Sequence, residues 1–252
     1  MSTAYDKVPA LTKQTKTKSR SSRRLLVFLL MFFIILLFVL FFRSSISRIA
    51  IIEVSGNSAL TTDEIVQASG VKEGDHFLAV RSTVIMQRVK ALPAVKSAEV
   101  SKDFPGHIRI IIEEFPRVAY QISPEGKTEA VLSSGWSYPL DNYAPIDKPI
   151  ISGWNEEDPW RKKLCAALTA LTPVQLSYIS EIRPAPTNSY PDKIKMYVRA
   201  NYEVYTTVTK LPDKMKTLDD IIEDLKKKQI TSGVLELLEV DVHRSFDLFY
   251  QK

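Results

Sequence analysis

Hydrophobic and polar positions change their period several times along the chain, and each change marks an element. Residues 25–42 read LLVFLLMFFIILLFVLFF, eighteen apolar positions without a charge, Gly or Pro. At ~1.5 Å rise per residue the run spans ~27 Å as a helix, close to the ~30 Å of bilayer hydrocarbon. Lipid offers the backbone no partner, so a helix is the form that satisfies such a segment internally. After it, Ile49 to Ser55 predicts a short apolar strand closed by the Gly56-Asn57 turn. Thr61-x-x-Glu64 is a capping box that opens a helix through Ala68, and Gly70 stops it. A second helix is predicted from Ser82 to Ala91, with Val84, Ile85, Val89 and Leu92 on its inner face and Pro93 as terminator. Alternation from Val95 to Lys102 predicts a half-buried strand. Phe104-Pro105-Gly106-His107 turns the chain, and Ile108, Ile110 and Ile112 line one face of a return strand. The predicted order is β-α-α-β-β.

The second half is mixed. Ala130–Leu132 and Pro149–Gly153 read as short strands and turns, with a turn at Ser134-Gly135-Trp136 between them. Trp160 to Leu171 predicts a helix with Leu164, Ala167, Leu168 and Leu171 on one side. Thr172-Pro173-x-Gln175 caps a shorter one, since Pro suits the first helical position. Ile179–Ile182 opens a strand. Ile194, Met196 and Val198 alternate, as do Tyr202, Val204, Thr206 and Val208, and the Arg199-Ala200-Asn201 link between the two runs predicts a hairpin. Leu211 to Ile230 is the clearest helix, with Leu211, Met215, Leu218, Ile221, Ile222 and Leu225 on one stripe. Its acidic residues lie early and Lys226–Lys228 late, which complements the helix dipole. Gly233 then leads into one last strand, on which Leu238, Val240 and Val242 share a face opposite Glu239 and Asp241. The aromatic residues Phe246, Phe249 and Tyr250 follow.

Charge sharpens the picture. Residues 1–24 carry seven basic groups against Asp6 alone, a net +6, whereas the other 228 residues carry 27 basic and 28 acidic groups. The basic pI therefore belongs to the tail, which excludes a fold built around a nucleic-acid-binding patch. Seven Lys and Arg precede the apolar run and only Arg43 and Arg48 follow it closely, so the N-terminus is expected in the cytoplasm and residues 43–252 outside. The single Cys165 excludes an internal disulfide and is expected as a buried helix residue.

Candidate chemistry is sparse. The three histidines, His76, His107 and His243, lie far apart and none has a second ligand at metal spacing. No nucleophile elbow or phosphate-cradling glycine loop is present. On a strand, the neighbours Glu113 and Glu114 point to opposite faces. No catalytic, cofactor-binding or metal-binding residue is assigned, and no cofactor or small-molecule substrate is expected. Binding remains, and exposed sheet edges offer unpaired N–H and C=O groups that a partner strand completes.

Val54-x-Gly56-Asn57, Leu92-Pro93-x-Val95, Ala98-x-Val100, Phe104-Pro105, Ile110-x-Ile112-Glu113 and Pro116-x-x-Tyr120 occur in order after a lone basic-inside apolar run. With the β-α-α-β-β order, they resemble the polypeptide-transport-associated (POTRA) domain of the FtsQ/DivIB cell-division family, closest to the DivIB type. Members commonly carry Glu-Arg where this chain has Glu113-Glu114, a departure expected to make a sheet edge more acidic. The resemblance covers roughly residues 24–250. It implies an α+β chain: a disordered cytoplasmic tail over 1–24, a transmembrane helix over 25–42, a POTRA domain over 49–118, and a second mixed α/β domain with an antiparallel-rich sheet over 119–252.

The resemblance further implies a non-enzymatic scaffold of the bacterial divisome at the septal membrane, with FtsB/DivIC-type and FtsL-type membrane proteins as partners. It directs attention to Glu236–Tyr250. The residues expected to touch a partner are Leu238, Val240, Val242, Phe246, Phe249 and Tyr250. The residues alone leave two readings of this strand open: a partner-facing edge, or core with a folded-back tip. A second functional reading is a membrane-anchored POTRA accessory for polypeptide transport. Those accessories usually carry tandem copies before an outer-membrane barrel, and this sequence has one copy and no barrel pattern.

Overall fold

In the computed structural model, residues 20–140, 145–155, 157–199 and 201–251 are described. The tail expected to be disordered lies outside them up to residue 19, as does Ala200 of the predicted hairpin link. Helix α1 spans Arg20–Arg43 and so starts five residues before the apolar run. Every apolar residue from Leu25 to Leu40 is exposed, as expected of a segment with no protein around it. It is the one helix among the described residues long and apolar enough to cross a membrane.

A short 3-10 turn, Ser45–Ser47, leads into the first sheet unit. Its elements are β1 (Ile51–Ser55), α2 (Thr62–Ser69), α3 (Ser82–Lys90), β2 (Val95–Asp103) and β3 (His107–Glu114). The β-α-α-β-β order stands. The strands lie in the order β1-β3-β2, with β1 parallel and β2 antiparallel to the central β3. Both halves of the Thr61/Glu64 capping box form, and Gly70 ends α2 in the left-handed region at φ +69°. Ile108, Ile110 and Ile112 are buried against Ile65, Ile85 and Val89 of the two helices. A bulge between Val95 and Ser97 shifts the parity of β2, so Val95 reaches the same core that Ala98 and Val100 pack against.

Two expectations for this unit are corrected. Val84 is exposed: α3 buries only the i, i+4 pair Ile85 and Val89, and Leu92 is half-buried beyond its end. Glu113 and Glu114 do not acidify a sheet edge, because β3 is the central strand. Glu113 pairs with Lys96 at 2.6 Å, while Glu114 accepts from the N–H groups of Ala59 and Leu60 at 2.8 and 3.0 Å. The two carboxylates do diverge, as neighbours on a strand must.

The remaining elements build a second unit: β4 (Arg117–Ile122), β5 (Thr128–Leu132), β6 (Ser137–Pro139), β7 (Ile150–Ile151), α4 (Pro159–Leu168), α5 (Pro173–Tyr178), β8 (Ile179–Pro184), β9 (Lys193–Val198), β10 (Tyr202–Thr207), α6 (Leu211–Lys227), β11 (Gly233–Leu237), β12 (Asp241–Arg244) and α7 (Phe246–Tyr250). Nine strands form one sheet in the order β12-β11-β10-β9-β8-β7-β4-β5-β6. Five of its eight pairings are antiparallel. The β9–β10 hairpin forms as predicted, with Asn201 at φ +60°, a conformation Asn tolerates. Leu164, Cys165 and Leu168 of α4 share a core with Leu211, Met215, Leu218 and Ile222 of α6 and with Ile182, Met196, Val204 and Leu235 of the sheet. Both helices stop three residues short of the predicted ends, at Leu168 and Lys227.

The two cores meet at the β5–β6 turn. Leu132 is buried in the first core, with Trp136 and Tyr138 packed beside it. The Ser134 hydroxyl donates to the Pro93 carbonyl at 2.8 Å. From the other side, the buried Arg161 of α4 donates to the Gly135 carbonyl and to Gln121 Oε1, each at 2.7 Å.

Candidate functional site

The region expected to be one last strand is a hairpin and a helix. The β11 segment ends at Leu237, residues 238–240 bend, and β12 returns antiparallel with Glu236 opposite Val242 and Leu235 opposite His243. Ser245 then caps α7 by accepting from the Leu248 N–H. No Gly, Pro or Asn-Gly stands at 238–240 to announce the bend, so the apolar alternation read straight through it. Leu238, Val240 and Val242 therefore do not share a strand face. Leu238 is half-buried in the bend, Val240 is 72% exposed at its tip, and Val242 lies on β12.

Strand β12 is an edge: β11 lies on one side and no strand of the described residues on the other. Its register is held by ion pairs. Glu236 pairs with Arg244 at 3.2 Å, and Asp241 and Glu239 are met by Lys214 and Lys210 from α6 and the residue before it, each at 2.5 Å. Gly233 is required at the start of β11. Its φ is +139°, and a Cβ there would lie 2.5 Å from His243 Nε2 and 2.6 Å from the Arg244 carbonyl oxygen.

The aromatic tip folds back on the sheet. Phe249 packs against Tyr205 with ring centroids 5.2 Å apart, and Phe246 stacks on Tyr250 at 6.5 Å. The Tyr250 hydroxyl donates to the Glu203 carboxylate and accepts from Lys195 Nζ at 3.0 Å. Burial disfavours the charged form of Lys195, but its bonds to Tyr197, Tyr250 and Glu203 outweigh that and hold the ammonium well above its ordinary pKa. Burial and the bond to Tyr250 push the Tyr205 phenol up. Both groups thus keep their protons at neutral pH, which fixes the donor pattern of this latch.

The opposite face of the hairpin carries what the strand pattern missed. Between α6 and β11–β12 runs a groove of about 380 Å³, floored by Ile221, Leu225, Leu235 and Leu237 and bordered by Asp220 and Asp241. The i, i+4 spacing of Ile221 with Leu225, and of Asp220 with Asp224, was legible on the helix. What faced them was not. Among the described residues, no three His, Cys, Asp or Glu side chains converge as a metal site. Residues 238–250 thus divide into an exposed edge with Val240 and Val242, and a latched aromatic helix with Phe246, Phe249 and Tyr250.

Residues 47–115 match the POTRA domain, FtsQ-type. Cell division protein DivIB of Paenibacillus polymyxa is 40% identical over 240 residues, covering 95% of this chain and 92% of that protein. The chain belongs to the DivIB family of cell division proteins. The DivIB proteins of Bacillus anthracis and Bacillus subtilis are 32% and 30% identical, over 94% and 92% of the chain and 88% and 86% of their own lengths. A solved structure, the major extracytoplasmic domain of the trans isomer of DivIB from Geobacillus stearothermophilus, is 27% identical. It covers 46% of this chain and 97% of its own, with a TM-score of 0.37. These relatives make this a DivIB-type cell-division protein with one apolar N-terminal helix, and the transport-accessory reading gives way to them.

Proposed function

We propose that the chain is a non-enzymatic, single-pass scaffold of the bacterial division machinery at the septal membrane. In this reading the tail over 1–24 is cytoplasmic and residues 25–42 span the bilayer. A POTRA domain over 49–118 and a second domain over 119–252 stand outside. Seven Lys and Arg before the span against two close behind it support this orientation. The partners are FtsB/DivIC-type and FtsL-type membrane proteins, and neither nucleic acid nor a cofactor takes part. Partners held in one bilayer meet at raised effective concentration, so each interface is permitted to be weak.

The observation that carries the partner site is the free edge of β12 with Val240 72% exposed beside it. A partner strand added there completes the ladder, while the α6 groove receives apolar side chains from the flanking segment. The experiment is co-purification of the full chain with an FtsB/DivIC-type protein in one nanodisc, together with the Val240→Glu and Val242→Glu variants. Each carboxylate is expected to weaken binding at least about tenfold and to leave the circular dichroism of the chain unchanged. Binding equal to the parent in both variants overturns the assignment of this edge.

A further inference from the structure

The exit of α1 is built into the first sheet unit without slack. The Ser47 carbonyl accepts from the Phe77 N–H at 2.9 Å, the Ile49 N–H donates to Asp75 at 2.8 Å, and the Gly74 N–H donates back to Ile49 at 2.8 Å. Arg48 forms an isolated antiparallel bridge with His76. The 74–80 loop is thereby stitched beside the end of the apolar helix. Its tip, and the turns next to it, are apolar and open: Leu78 is 56% exposed, Ile46 52% and Phe104 62%.

The loop does not sit above the helix end but alongside it. A groove of about 800 Å³ has Phe38, Val39 and Phe42 as one wall and His76, Leu78 and Ala79 as the other. The Phe42 and His76 rings are 6.5 Å apart. Phe38 precedes Arg43 by five residues, which is ~7.5 Å along the axis. The loop therefore borders a groove that runs along the last turn and a half of the apolar run, with His76 beside Phe42.

Irregular backbone at that level needs its polar groups satisfied by protein. Here Lys102 Nζ donates to the carbonyls of Phe77 and Val80 at 2.5 and 2.6 Å, and the Ala79 N–H donates to His76 at 3.0 Å. The ammonium also lies 4.5 Å over the Phe77 ring. The Phe77 and Val80 carbonyls are so bonded, whereas the Leu78 N–H and C=O have no partner among the described residues and meet headgroups or water, with the Leu78 side chain left bare.

We propose that the His76–Val80 loop, with Leu78 at its tip, is embedded in the outer leaflet beside the end of α1, so that the lipid bilayer is the partner of this face. The occupant is lipid because one wall of the groove is the lipid-facing surface of the spanning helix itself. The inference rests on the reading of α1 as the membrane span. Docked this way, the first sheet unit is held at a fixed height and tilt, not swung on a tether.

The test uses the full chain in phosphatidylcholine–phosphatidylglycerol nanodiscs with and without doxyl-labelled lipid. Single cysteines carry an environment-sensitive fluorophore at Leu78→Cys, Ala79→Cys, Leu30→Cys in mid-helix, and Val174→Cys on the exposed surface of α5. Native Cys165 is fully buried and its thiol is pushed up to about 11 by burial, so labelling at neutral pH is confined to the introduced sites. Probes at 78 and 30 are expected to shift to the blue and lose intensity with doxyl-lipid, with the probe at 174 unchanged. A probe at 78 that behaves like the one at 174, while the probe at 30 is quenched, overturns the embedding and leaves the span. Loss of quenching at both 30 and 78 overturns the span and the embedding together. Should Leu78→Cys fail to fold, the probe at 79, on the same wall of the groove, is read in its place by the same criteria.

Discussion

Replacing Arg161 with methionine removes the bolt that ties α4 to the β5–β6 turn. Arg161 is only 4% exposed, and its guanidinium spans two acceptors, the Gly135 carbonyl and Gln121 Oε1, each at 2.7 Å. Gln121 in turn donates to Glu129 at 2.7 Å and to Ser137 at 3.1 Å, so its oxygen is fixed toward the arginine. Methionine fills most of the volume and leaves both acceptors without a donor. An orphaned buried acceptor costs about 1–3 kcal/mol, and since Gly135 and Gln121 are half-buried, about 2–6 kcal/mol is an upper bound on the gross loss. Relief of guanidinium burial offsets part of this, and the net expected loss is about 3 kcal/mol. With a urea m-value of about 2 kcal/mol/M, the midpoint drops by about 1.5 M. Trp136 lies in the turn and Trp160 adjoins Arg161, so tryptophan fluorescence of the full chain in detergent reads the joint directly. Arg161→Lys is expected to fall between the two, because one ammonium does not present the fork that reaches both acceptors. A midpoint change below about 0.3 M in Arg161→Met would falsify the reasoning, since it means the acceptors find water at no cost.

Three further outcomes follow from the geometry. Gly56→Ala places a Cβ 2.0 Å from the Ile112 carbonyl oxygen at φ +86°, so β1 and β3 must part. A loss of about 2 kcal/mol or more is expected in urea unfolding, and an unchanged midpoint refutes the clash. Tyr250→Phe deletes the hydroxyl shared by Glu203 and Lys195. Amide exchange over residues 246–250 should quicken while the global midpoint holds, and unchanged exchange there removes the latch. The last outcome concerns pH. Hydrogen bonds from the backbone and hydroxyl of Thr61 hold the Glu64 carboxyl below its ordinary value, and bonds from Lys96 and Ser97 do the same for Glu113. Folded values below unfolded ones make this stability complete above the ordinary carboxylate range, and it is lost as pH falls through the folded values. Urea midpoints at pH 7, 4 and 3 should descend in that order, and a flat series contradicts it.

What the sequence disclosed depended on how local each determinant is. The capping box at Thr61/Glu64, the stop at Gly70 and the isoleucines at 108, 110 and 112 act within a few residues, and each formed as read. So did the apolar stripe of α6, while the run read through Tyr202, Val204, Thr206 and Val208 forms a strand that ends at Thr207 and buries Tyr205 and Thr207 as well. The terminal hairpin was hidden because no turn residue marks 238–240, and the contacts that accompany the fold-back, such as Glu236 with Arg244, join residues across strands. The two-residue β7 joins β4 to β8 by parallel pairing, to which no sequence period corresponds. Nothing in the helix pattern sets Arg161 apart, and its burial is visible only with the turn that covers it. The groove beside α6 was half legible: its helix wall is in the spacing, and its sheet wall depends on the bend.

The order of the nine strands turns the large sheet into a measuring arm. The β5–β6 turn at one end is clamped to the first core, and β12 is the last strand at the other end. Eight inter-strand steps of ~4.8 Å put ~38 Å between clamp and free edge. A helical partner reaching along that arm needs about 25 residues at ~1.5 Å each. The arm also magnifies: a turn of about 10° at the clamp sweeps the far edge through about 7 Å, more than one strand spacing. Whatever stiffens or loosens the contact of Ser134 and Arg161 at one end therefore sets how sharply the other end is aimed.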